Sequence, residues 1–191
     1  MKHEQIWAPW RLDYVVSADE AKLPAPTRPV RWREGADPQC FFCRNIAEAE
    51  GTTDAAAGKE ADRENLVVFH TELSILVLNR YPYNNGHLLI APRRHRAEPA
   101  DLEDEEHLDL MQELTRAIAA MRRLMDPHGF NVGLNLGRVA GAGLPGHLHW
   151  HLVPRWNGDT NFMPVLAGIR VIPQSLDALW EALSQELRPD R

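Results

Sequence analysis

A surplus of positive charge and a long apolar run are both missing from this chain of 191 residues. Its 21 lysines and arginines are outnumbered by 27 aspartates and glutamates, giving a net charge of −6. A nucleic-acid duplex is therefore not expected as the main partner, because neutralising a phosphate backbone takes a basic face. A small anionic substrate survives that argument. Apolar runs such as that around Ser74 to Leu78 fall far short of the ~20 residues a membrane span needs. Residues Met1 to Arg11 hold charges and two tryptophans, with no apolar segment followed by small residues, so they do not read as a secretory signal and a cytoplasmic protein is expected. Cysteine is nearly absent. Cys40 and Cys43 stand together as Cys-Phe-Phe-Cys, too few and too close for a disulfide framework, which leaves metal ligation or redox chemistry.

What is present is an ordinary globular composition, 44% hydrophobic and 25% charged, in a length that fits one domain. Prolines 24, 26 and 29, with Pro38 just beyond, and charges of both signs mark residues 18–37 as extended or loop. Residues 48–62, rich in Ala, Gly, Thr and charge, read as a linker or a short surface helix. Three β-prone runs follow, at Leu66 to Phe69, Ile75 to Leu78 and His87 to Ile90, separated by turn-rich segments, which predicts an antiparallel meander. From Leu102 to Met125 apolar residues recur at helical spacing, with acidic residues in front and Arg122 and Arg123 near the end, as the helix dipole favours. Asp126-Pro127-His128-Gly129 stops this helix. Two further strands, Phe130 to Leu136 and His147 to Pro154, flank a Gly-rich stretch from Gly137 to Gly146, and an amphipathic helix at Leu176 to Leu187 closes the chain. The expected class is α+β, a largely antiparallel sheet packed on one long helix. The expected organisation is an arm and linker over residues 1–64, a core over 65–165 and a tail with a short helix over 166–191.

Nine histidines are unevenly distributed, and the segment His147-Leu148-His149-Trp150-His151-Leu152-Val153-Pro154 is the most informative. On a strand, side chains alternate faces, so the three histidines would share one face and the apolar residues the other. One metal cannot comfortably hold all three, since at ~3.3 Å per residue His147 and His151 have α-carbons roughly 13 Å apart. A neutral imidazole is, however, a ready nucleophile near pH 7, and a covalent step splits one hard displacement into two easier ones. His3, His70, His107 and His128 read as surface residues.

The segment is similar to the signature of the histidine triad family, His-φ-His-φ-His-φ-φ with φ apolar, and every φ position here is apolar. The likeness runs from about Leu66 to Asn161 and takes in Asn79-Arg80-Tyr81-Pro82-Tyr83-Asn84-Asn85-Gly86-His87 and Phe130 to Gly137. Ile6 to Tyr14 and Pro154 to Phe162 resemble the bacterial branch that includes diadenosine tetraphosphate phosphorylases. The resemblance implies nucleotidyl transfer, with His149 as nucleophile on the α-phosphorus and His151 in contact with the phosphate. It places Asn79, His87 and Asn135 at the nucleoside and Gly143, in the loop before the triad, at the phosphate, where backbone N–H groups can approach closely. Family hydrolases carry Gln where this chain has Gly143, a departure from the simple hydrolase pattern. A Cys-x-x-Cys alone is half a zinc site; the family's bacterial members complete it with a histidine and the first triad histidine, which here implies structural zinc on Cys40, Cys43, His95 and His147.

Phosphorolysis of a dinucleoside polyphosphate, preferably diadenosine tetraphosphate to ADP and ATP, is the expected activity, with phosphate as co-substrate. Hydrolysis of the same bond is its rival, and a zinc-stabilised nucleotide-binding module without activity a third reading. The family's habit and the apolar surplus on the long helix, at Leu108, Met111, Leu114, Ile118, Met121 and Leu124, imply a homodimer or tetramer, with the tryptophan-bearing arm at residues 6–14 as a second means of association.

Overall fold

A computed structural model describes residues 23–160 and 172–187. The tryptophan-bearing arm and Asn161-Phe162 lie outside them. Two helices, α1 (Phe41–Gly51) and α2 (Ala55–Glu64), precede the meander β1 (Val67–His70), β2 (Ser74–Leu78) and β3 (Leu88–Pro92). The long helix α3 (Asp104–Met125), strands β4 (Gly129–Leu134) and β5 (Trp150–Arg155), and helix α4 (Leu176–Leu187) complete the order. The sheet runs β1-β2-β3-β5-β4, antiparallel throughout, so the last strand is inserted between the meander and β4.

The expected meander, long helix, strand pair and closing helix are all present, and the class is α+β. Of the two readings of residues 48–62 the helical one holds, with residues 52–54 joining the end of α1 to α2, and α1 begins inside the Cys-x-x-Cys motif. One expectation is corrected. The final strand starts at Trp150 rather than His147, because the chain before it pairs with a different segment: Leu148 N–H donates to the Arg96 carbonyl at 2.6 Å.

Strands β2 and β3 are buried along their whole length, which is why they read as continuous apolar runs rather than alternating ones. Helix α3 packs on β2 and β3, and α4 packs on β1 and α3. Trp180 of α4 is fully buried and donates Nε1–H to the Val67 carbonyl at 2.7 Å, so a large aromatic enters the core without orphaning its polar atom. A reciprocal box closes the start of α3, where Glu103 and Glu106 each accept from the other's backbone N–H. Arg94, just beyond β3, donates to the Glu106 carboxylate, and this ion pair holds Glu106 below its ordinary range. The sheet and long helix are thereby tied together near the residues that follow β3.

Candidate active site and metal centre

Strand β5 and the residue just before it bring His151 and His149 to one place. In the sheet His151 stands opposite Leu89 of β3 and Gly133 of β4, and its ring centroid lies 5.0 Å from that of His149. Both line a cleft of about 690 Å³, together with Asn79, Gly141, Gly143 and residues of α1. Alternation therefore holds for these two histidines. His147, before the strand, is fully buried and turns toward α1 instead.

The protonation of His149 follows from its partner. Its Nδ1 lies 2.8 Å from the His147 carbonyl oxygen, which can only accept, so Nδ1 carries the proton and Nε2 keeps its lone pair. Burial is the largest influence on its pKa and pushes it down, outweighing the hydrogen bond to the His147 carbonyl, which pushes it up; the balance favours a neutral imidazole.

His151 is fixed from behind. The Tyr83 backbone N–H donates to His87 Nδ1 at 3.1 Å, so His87 must present Nε2–H to His151 Nδ1, 2.9 Å away. With Nδ1 accepting, His151 carries its proton on Nε2. The Asn135 carboxamide lies 3.3 Å from that nitrogen, and its oxygen is the end able to accept. His87, 1% exposed, and Asn135 thus contact His151, and neither lines the cleft. Asn79 does line it; its carboxamide accepts from Tyr81 N–H at 2.9 Å and lies 3.2 Å from His87 Nδ1. The turn carrying these residues closes at Gly86, whose φ of 76° and close neighbours, Met125 Sδ and Pro154 Cγ both 3.1 Å from a Cβ placed there, admit no side chain.

The Gly-rich segment approaches the cleft from the other side. Gly141, at φ 92°, ends a short 3₁₀ turn (Arg138–Ala140) in a conformation reserved in practice for glycine. The Gly143 N–H has no hydrogen-bond partner among the described residues, a donor open to a phosphate oxygen.

Cys40, Cys43, His95 and His147, the last on the chain just before β5, bring one ligand atom each within 4.8 Å of one another. Cys40 Sγ to His147 Nδ1 and Cys43 Sγ to His95 Nδ1 are both 3.2 Å, and Cys43 Sγ to His147 Nδ1 is 3.6 Å. A tetrahedral ion with bonds of ~2.0–2.3 Å has ligand–ligand edges of roughly 3.3–3.8 Å, so these spacings fit. His147 Nε2–H donates to the Pro92 carbonyl at 2.8 Å, leaving Nδ1 unprotonated toward the sulfurs, the outer-shell bond expected of a ligating histidine. Cys43 is lowered to about 4, chiefly by the hydrogen bond from Cys40 and then by His147, while Cys40 is raised by holding that shared proton in a buried place.

Residues 60–158 match the family model of the HIT domain. Over 173 residues the chain is 40% identical to the AP-4-A phosphorylase of Mycobacterium tuberculosis, covering 91% of this chain and 78% of that protein. The chain belongs to the HIT family. Adenosine 5'-monophosphoramidase hnt1 of Schizosaccharomyces pombe, another HIT relative, is 30% identical over 152 residues, 78% of this chain and 98% of that protein. Among solved HIT structures, a Zn-bound histidine triad family protein from Mycobacterium smegmatis superposes with a TM-score of 0.53 at 26% identity, covering 64% of this chain and 83% of that one.

Sequence reasoning missed the wall of the cleft formed by Phe41, Arg44 and Asn45 of α1, outside the HIT match, and Asn65 after α2, inside it. The one sequence signal was the i, i+3, i+4 spacing of 41, 44 and 45, legible only once residues 41–51 are known to be helical. His70, His107 and His128 are exposed as expected; His3 lies outside the described residues.

Proposed function

We propose that this protein cleaves diadenosine tetraphosphate by phosphorolysis, releasing ATP and ADP through an adenylyl adduct on His149. The observation that carries the transfer chemistry is the His149 tautomer, with Nδ1–H tied to a carbonyl and the Nε2 lone pair left for an electrophile in the cleft. The specific substrate rests on the similarity to AP-4-A phosphorylase over nine-tenths of the chain. Nε2 attacks the α-phosphorus, a P–N bond forms, the bond to the β-phosphate's bridging oxygen breaks, and ATP leaves. An oxygen of inorganic phosphate then attacks the same phosphorus and breaks the P–N bond, giving ADP and free His149. On substrate binding His151 Nε2–H exchanges its long contact with the Asn135 carboxamide for a phosphate oxygen, and Gly143 N–H donates to another as charge builds there; Asn79 contacts the ribose. His87 and Asn135 hold His151 in the donating tautomer.

Incubation with diadenosine tetraphosphate and ³²P-labelled phosphate should give ATP and ³²P-labelled ADP in equal amounts. AMP and ATP formed equally fast without phosphate would identify water as the acceptor and overturn phosphorolysis.

Because burial lowers the His149 pKa from its ordinary 6.5, the nucleophile stays neutral to lower pH than a free imidazole. The acid limb of kcat/KM against pH is expected to break below 6.5. A break above it would contradict the assignment.

We further infer one zinc per chain on Cys40, Cys43, His95 and His147. The four protein ligands close the tetrahedron, so the ion supplies structural cross-linking of α1 to the chain before β5. A homodimer or tetramer is also proposed. Leu114 and Met121 are spent on the core, but Leu108 is 59% exposed, Met111 38% and Leu124 39% on α3, and Val132 43% on the edge strand β4. Light scattering should find a dimer or larger at micromolar concentration, and a monomer would reject this.

A further inference from the structure

The cleft has a reactive end at the histidines and a second end along α1. The Phe42 ring centroid lies 5.5 Å from that of His149, and Asn45, three residues on, stands ~4.5 Å further along the helix axis. The wall there is apolar, made of Phe41, Leu66, Val77, Leu78 and Leu89. Asn45 places a carboxamide in it. This residue is 6% exposed, and its one hydrogen bond among the described residues is a long one, Nδ2–H to the Asn65 carbonyl at 3.4 Å.

That carbonyl is itself held in place. Asn65 caps α2, and its side chain donates to the buried Glu48 carboxylate at 2.8 Å. The next residue, Leu66, sits at φ 60°, in the left-handed region that a branched side chain rarely occupies. A strained backbone beside a cleft persists where the surroundings over-determine it. Here it accompanies a carbonyl that fixes which way the Asn45 amide faces. With one Nδ2–H so engaged, Asn45 keeps one N–H and its Oδ1, a donor and an acceptor side by side. Both open onto the cleft, where a nucleobase carrying the complementary acceptor and donor can take the place of solvent.

We propose that Asn45 is the base-reading residue of this cleft, its Oδ1 accepting from the adenine N6 amino group and its Nδ2–H donating to the adjacent ring nitrogen. This pairing is the usual one between asparagine and adenine. It deepens the functional reading above and rests on it. Arg44, the neighbouring cleft residue, does not discriminate in the same way. One arm of its guanidinium donates to the Pro24 carbonyl, and its buried Nε–H has no partner among the described residues. A single donor can be met by any purine ring nitrogen or by ribose.

The test compares AMP with purine riboside 5'-monophosphate, which differs only in lacking the N6 amino group, by calorimetric titration of the zinc-loaded wild type and of Asn45→Leu. The wild type should bind AMP about tenfold more tightly than the analogue, the worth of one buried hydrogen bond. Asn45→Leu should bind both equally, with AMP weakened toward the analogue. A wild type that does not distinguish the two, or a variant that keeps the wild-type ratio, overturns the proposal for Asn45 while leaving the adenine-nucleotide reading intact. Absence of AMP binding to the wild type would instead overturn that reading, and this inference with it. Should Asn45→Leu fail to fold, Asn45→Ser, small and polar, is held to the same criterion.

Discussion

Replacing His149 with alanine should lower turnover of diadenosine tetraphosphate by at least about a thousandfold, while AMP binding weakens by no more than about tenfold. The split follows from where the imidazole acts. Its Nε2 meets the phosphorus chiefly in the transition state, whereas a lost ground-state contact is worth only about 1 kcal/mol. A variant that keeps a tenth of wild-type activity would show that another group is the nucleophile.

The second large effect concerns the cysteines. Replacing Cys40 or Cys43 with alanine is expected to remove the zinc and lower the melting temperature by about 10 °C or more, because metal-binding energy is folding energy in a closed site. Elemental analysis of the wild type should find one zinc per chain. Activity should be lost together with structure, for a traceable reason. His147 uses Nδ1 for the cluster and its carbonyl for His149 Nδ1–H, so loosening the cluster frees the carbonyl that sets the nucleophile's tautomer. If chelation abolishes activity at once with melting unchanged, and zinc restores it, the ion is catalytic and the structural assignment fails.

The histidine pair and the Cys2His2 set are legible in the sequence to different depths. Period two accounts for His149 and His151, because the extended chain enters β5 directly after His149 and the alternate apolar residue Leu152 is buried in the core. The same rule misplaces His147, whose backbone lies before the strand and whose ring is drawn to the cysteines. Nothing local announces that bend. Helix α1 is illegible for a related reason: Cys40 and Cys43 are buried by contacts with His95 and His147, more than fifty residues away. Helix α2, Ala-Ala-Ala-Gly-Lys-Glu-Ala-Asp-Arg-Glu, buries only Ala61 and so carries no apolar stripe to read. The supporting roles of His87 and Asn135 depend on β3 and β4 flanking β5. No spacing within either motif could separate a residue that lines the cleft from one that stands behind His151.

The most direct test of nucleotidyl transfer is to capture the adduct. Wild-type protein mixed with diadenosine tetraphosphate labelled at the α-phosphorus, without phosphate, and quenched in base to preserve the P–N bond, should carry adenylyl label on the peptide containing His149, and His149→Ala should carry none. Label on another residue, or turnover in phosphate with no covalent label at any quench time, would contradict the account.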